Sequence, residues 1–161
     1  MQNSTPDTRP QYRERLTPSL WMLVTIALAG PMVTLVFVPI GSTLALFIGG
    51  GVSLVLVAAA VLLSPVIRVD GTTVRVGRAH IDARWLGDAA QLAGDEARNA
   101  RGPGLPRDGW HLIRGGVDGV VVVPLTDPDD PHPSWTVSSR TPDRLAAAIR
   151  RARETAERAP I

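Results

Sequence analysis

Residues 19–38 read SLWMLVTIALAGPMVTLVFV and residues 42–63 read STLALFIGGGVSLVLVAAAVLL, with only Pro39, Ile40 and Gly41 between them. From Leu16 to Ile67 the chain has no Asp, Glu, Lys, Arg or His. An ionised side chain at the centre of a bilayer costs roughly 2.5–3.5 kcal/mol on insertion scales, so a chain that crosses lipid keeps its charges elsewhere. Each run has about 20 residues, which at about 1.5 Å per residue matches the roughly 30 Å of hydrocarbon a helix must cross. The stretch predicts a transmembrane helical hairpin over 18–64, with helices at about 19–38 and 42–63. A secretory signal is the competing reading, with Ala27-Leu28-Ala29 as the small-residue cleavage site. The apolar run continues unbroken through Val38, whereas a signal's apolar core ends just before its site.

The flanks set the orientation. Arg9, Arg13 and Arg15 precede the hairpin, Arg68, Arg75, Arg78 and Arg84 follow it, and the connecting turn is uncharged. The positive-inside rule then predicts a multi-pass protein of the inner (plasma) membrane with both termini in the cytoplasm. Arg13, Arg15, Trp21 and Arg68 are the candidates for contact with the membrane surface, Trp21 at headgroup depth. Arginines that share a face there gain about 1 kcal/mol each from an anionic leaflet. Residues 1–17 read as a polar cytoplasmic arm, and its Met1–Gln11 portion, lacking apolar period, reads as disordered.

Inside the hairpin, Ala45, Gly49 and Ser53 recur every four residues, and Gly30 with Thr34 forms a similar strip. Small residues at that spacing let helix backbones approach closely. Packing of the hairpin on itself is the favoured role, and homo-oligomerisation through Ala45, Gly49 and Ser53 is the alternative. Pro31 predicts a kink in the first helix, with no polar partner legible for it. A transport pathway is disfavoured, because only Thr25, Thr34 and Ser53 supply polarity well inside.

The 161 residues leave about a hundred for a domain outside lipid, 66–161. All 17 basic residues are Arg, against 15 acidic ones, and the net charge of +2 does not demand a nucleic-acid partner. Without cysteine there is no disulfide and no thiolate chemistry. Period-two alternation predicts a hairpin of strands around Asp70-Gly71, a third strand from Ala79, and a weak one at 88–92. After the loop GDEARNARGPGLPRDG, with one helical turn at Asp95–Ala100, come strands at 110–114, 117–125 and 135–139. The closing helix, about 142–158, is opened by Thr141 as cap, Pro142 and Asp143; Leu145, Ala148, Ile149, Ala152 and Ala156 share one face. Arg150 with Glu154 and Arg153 with Glu157 are spaced to pair on the other. The expected fold is therefore an α+β membrane protein. A helical hairpin precedes a small antiparallel pleckstrin-homology-like (PH-like) barrel or sandwich with a C-terminal amphipathic helix.

Three stretches carry a family likeness: the start Tyr12-Arg13-Glu14-Arg15-Leu16, the hairpin VIRVDGTTVRVGRAHIDARWLG, and WTVSSRTPDRLAAAIRRA near the end. With the two apolar helices, they resemble an actinobacterial membrane-protein family of unknown function, domain of unknown function 3093. The motif positions are Asp127, Asp130, Trp135, Ser138, Arg140 and Pro142; family members often place an aromatic before the Trp, where this chain has Ser134. The resemblance implies two transmembrane helices and a PH-like domain, and assigns no activity.

Chemistry is sparse. The loop TDPDDPHP (126–133) offers Asp127, Asp129, Asp130 and His132 as hard-cation ligands, but interleaved prolines and the missing Gly and distal Glu argue for a structural turn. His80, His111 and His132 lack paired zinc spacing, no Gly-x-Ser-x-Gly elbow surrounds a serine, and Gly102-Pro103-Gly104 lacks the Lys-Ser/Thr of a P-loop. No catalytic, metal or cofactor residues are predicted. Arg144, Arg151 and Arg158 repeat every seven residues, with neighbouring glutamates expected to compensate them. The expected function is a non-enzymatic, membrane-tethered interaction or scaffold module whose partners are the bilayer and another membrane or cytoplasmic protein. The alternatives are an enzyme using the Asp127–Pro133 loop, or weak binding of anionic lipid or nucleic acid through arginines.

Overall fold

A computed structural model describes residues 11–158, so the arm at 1–10 lies outside the described residues. The chain forms two compact units, Thr17–Ser64 and the remainder.

The first unit is helical throughout. Helix α1 (Leu20–Ala27) is opened by the Ser19 hydroxyl, which accepts the Met22 N–H, and Leu28 separates it from α2 (Ala29–Phe37). After the turn, α3 (Ser42–Leu62) returns alongside. The break follows from Pro31. A proline has no N–H to give the carbonyl four residues back, here that of Ala27. Ser53 of α3 supplies the missing donor, its hydroxyl bonding Ala27 O at 2.6 Å. The polar partner that the sequence did not disclose is therefore a serine on the opposite helix. Close approach is enforced beside it. A Cβ on Gly30 would overlap Ser53 Oγ and the Gly49 carbonyl, and one on Gly49 would overlap Thr34 Oγ1. Ala45 and Gly49 are buried between the helices, so the small-residue strip packs the hairpin on itself.

The second unit holds two four-stranded sheets. In the first, β1 (Tyr12–Arg15), β2 (Val66–Asp70), β3 (Thr73–Val76) and β4 (Ala79–Asp82) form an antiparallel meander in that order. Tyr12–Arg15, read from sequence as the end of a polar arm, are thus an edge strand. They pair with β2 in the register Tyr12↔Val69 to Arg15↔Val66, extended by Leu16 N–H to Pro65 O at 2.9 Å. The apolar hairpin is an insertion between two neighbouring strands. Gly71 and Gly77, both with positive φ, make the two following turns.

A 3-10 turn at Ala83–Trp85, capped by the Asp82 carboxylate, leads to the second sheet. This contains β5 (Ala90–Leu92), β6 (Trp110–Leu112), β7 (Gly119–Pro124) and β8 (Ser134–Ser139) in the order β5-β7-β8-β6. Helix α4 (Gly94–Ala100) lies between β5 and β6, two turns where one was expected. Of the expected antiparallel barrel or sandwich, the barrel is corrected here, and the antiparallel pattern has one exception. The sheets remain separate ladders, linked among the described residues by a single bridge, Leu86↔Leu125, and β6 runs parallel to β8. The 3-10 turn takes the chain out of extended geometry just where β4 would have handed on to β5. Strand periodicity also says nothing about which neighbour a strand selects.

Helix α5 (Pro142–Arg158) closes the core. Leu145, Ala148, Ile149 and Ala152 pack against Leu16, Ile67, Val69, Val74 and Val76 of the first sheet and Val121, Val123, Trp135 and Val137 of the second. The Trp110 and Trp135 rings lie 5.0 Å apart at 43°.

Candidate functional site

The start of β1 and the end of β8 meet at one place, and a carboxylate organises it. Glu14 Oε2 accepts the Tyr12 hydroxyl at 2.6 Å and the Ser139 hydroxyl at 2.6 Å, while Oε1 accepts the Arg140 N–H at 2.7 Å. Because the phenol's one proton goes to Glu14, the 2.8 Å contact with Thr141 Oγ1 has the threonine donating. Ser139 Oγ accepts the Thr141 N–H at 3.1 Å. Burial first, and the bond to Glu14 second, raise the Tyr12 pKa above its ordinary 10.0. Thr141, expected as a helix cap through its side chain, gives that hydroxyl to Tyr12, and its carbonyl accepts the Leu145 N–H instead.

This lock fixes the wall of an open cleft of about 520 Å³ lined by Glu14, Arg140, Arg144 and Arg151, with Arg13 at its strand edge. Arg144 and Arg151, seven residues apart, lie within about 20° of each other around α5, and Ala147 between them keeps the floor low. Arg140 is held by its Nη1 to the Arg15 carbonyl at 3.3 Å. Among the described residues Arg13, Arg144 and Arg151 enter no ion pair, and all three are exposed. The expected compensation by glutamates is therefore corrected. The expected Arg153–Glu157 pair does form, at 3.0 Å, and Arg153 also takes Asp88 at 2.6 Å, whereas the expected Arg150–Glu154 pair is not among the ion pairs of the described residues.

Arg13 also begins a second basic feature. On the exposed face of the first sheet the register sets Arg13 opposite Arg68, Arg68 opposite Arg75 and Arg75 opposite His80. Like charges directly opposite one another weaken a sheet, so this row costs stability in isolation. Arg15 points to the same side, whereas Arg84 is paired with Asp82 at 3.2 Å.

The remaining motif positions make contacts within the fold. Trp135 and Ser138 are buried, Ser138 Oγ accepting the Arg114 N–H at 3.1 Å, and Pro142 starts α5 against Gly119. Asp127 Oδ1 accepts the Asp129 N–H at 3.0 Å and Asp130 Oδ1 the His132 N–H at 2.8 Å, so these carboxylates hold their own loop. His132 Nδ1 lies 2.9 Å from Asp108 O. Among the described residues no three His, Asp or Glu side chains gather as a metal site would require. A further hollow of about 460 Å³ on the outer side of the second sheet is lined in part by Glu96, Asn99 and Thr136.

Sequence reasoning missed that Arg13 joins Arg140, Arg144 and Arg151. The signal that was present is the pair of motifs, Tyr12–Leu16 and Ser138–Pro142, which Glu14 ties together. No curated protein and no solved structure matches the chain. Residues 11–149, which contain both motifs and everything between them, match the protein family of unknown function DUF3093, and the chain belongs to that family.

Proposed function

We propose that this protein is a bilayer-anchored, non-enzymatic interaction module of the inner (plasma) membrane, multi-pass with both termini cytoplasmic. The observation that carries the reading is the uncovered apolar surface of the hairpin. Leu20–Phe37 and Ser42–Leu62 are long and apolar enough to cross hydrocarbon, and only 6% and 11% of those spans are buried by protein. Trp21 is 80% exposed and Phe47 77%. In water, apolar side chains on this scale would aggregate; in lipid they need no protein cover. The row Arg13, Arg68, Arg75 and His80 supports the same reading. Its mutual repulsion is relieved beside an anionic leaflet, where each arginine gains about 1 kcal/mol. For the second unit the PH-like comparison rests on the four-stranded meander, the second sheet and the C-terminal helix; the parallel β6–β8 pair departs from a simple meander.

Fractionation tests the anchor. The intact chain should stay with membranes through high-salt and alkaline washes and leave only with detergent, and tags at both ends should be reachable only from the cytoplasmic side. Recovery in the aqueous fraction without detergent would overturn the reading. The enzymatic alternative through the Asp127–Pro133 loop predicts a metal retained in purified protein and lost on replacing Asp129 and His132 together.

A further inference from the structure

We infer that the cleft between β1 and α5 is a binding site for a phosphate group, carried by a lipid headgroup or free in solution. The inference goes beyond the anchoring role and does not depend on it. Arg140, Arg144 and Arg151 line the cleft with a single carboxylate, Glu14, and that carboxylate already accepts three hydrogen bonds. The cleft thus keeps an excess of positive charge that the described residues do not neutralise at Arg144 or Arg151. One carboxylate ligand would engage one or two guanidinium forks, whereas a tetrahedral, multiply charged phosphate offers oxygens to several at once. The start of the 17-residue helix α5 at Pro142 adds its favourable dipole on the same side as Arg140 and Arg144. Position rather than residue type sets these arginines apart. Arg153, on the same helix, is paired twice, while Arg144 and Arg151 flank Ala147 over an open floor.

The test is residue-resolved. The full chain in an uncharged detergent is treated with an arginine-selective dicarbonyl, and modification rates are read peptide by peptide. Inorganic phosphate should slow modification of Arg144 and Arg151 at least about threefold relative to potassium chloride of equal ionic strength, with Arg150 and Arg158 unchanged as controls on the same helix. Phosphatidic acid in the micelles giving the same protection at far lower total concentration assigns the phosphate to a lipid headgroup; protection by soluble phosphate alone assigns it to a free ligand. Equal rates in phosphate and chloride, or equal slowing of Arg150 and Arg158, overturn the inference. Ala147→Leu fills the floor without changing charge and should abolish the protection, as should the exposed Arg144→Gln read at Arg151. Protection that survives both variants also overturns it. A chain that proved water-soluble yet showed this protection would sink the anchor and leave the cleft standing.

Discussion

Tyr12 is the single tyrosine of the chain, so phenolate absorbance reads it alone. Its pKa is raised by burial and by donating to Glu14, which means the folded state holds the phenolic proton more tightly than the unfolded chain does. The resulting stability is complete below about pH 10, the unfolded value, and is lost as pH rises through the folded one. A spectrophotometric titration should therefore give a midpoint above 10 that falls to the ordinary phenol value of about 10 in denaturant, and Tyr12→Phe should flatten the alkaline decline of stability. Thr136 presents the opposite case. It is fully buried in β8, and its hydroxyl has no hydrogen-bond partner among the described residues. An unsatisfied buried hydroxyl costs about 1–3 kcal/mol, while valine has nearly the same shape. Thr136→Val should raise the unfolding free energy by about 1 kcal/mol, checked by thermal or denaturant melts; a loss of stability would mean that the hydroxyl has a partner after all.

At the scale of elements, Pro31 and Ser53 act as a pair. Removing the Ser53 hydroxyl leaves the Ala27 carbonyl without a donor inside the hairpin, a loss of about 1 kcal/mol for a polar contact between apolar helices. In a Pro31→Ala background residue 31 has its own N–H for that carbonyl, so Ser53→Ala should cost less there. A double-mutant cycle on hairpin stability in detergent measures the difference, and additive losses would refute the pairing. These elements also show what the sequence discloses. The apolar spans at 20–37 and 42–62 and helix α5 at 142–158 were legible because hydropathy and 3.6-residue period are properties of one segment. So were β2, β3 and β4, whose Asp70-Gly71 turn is local. Strand β1 was not. Tyr12-Arg13-Glu14-Arg15 is four polar residues, and becomes a strand only because Val66–Val69 is there to receive it. The cleft was hidden for the same reason, since Arg13 and Arg144 stand 131 positions apart and only the fold closes that interval.

At the scale of the whole molecule, β1 belongs to the domain that follows the hairpin. Residues 65–161 produced alone would lose the edge strand, Leu16 from the core and Tyr12 with Glu14 from the lock. Such a truncation should be markedly less stable than a variant in which Asn-Gly joins Leu16 directly to Pro65, because the two already pair at 2.9 Å and a two-residue link suits an antiparallel ladder. Comparison of the two by cooperative melting checks this; equal behaviour would show β1 to be dispensable. The same splice governs the order of events at the ribosome. The first strand emerges early and stays without its neighbour until the whole apolar hairpin has been synthesised, a loop whose closure entropy must be overcome before pairing is rewarded. Completion of the first sheet thus trails synthesis of the apolar hairpin, and a nascent copy stalled within that hairpin would carry an unpaired edge as its mark for quality control.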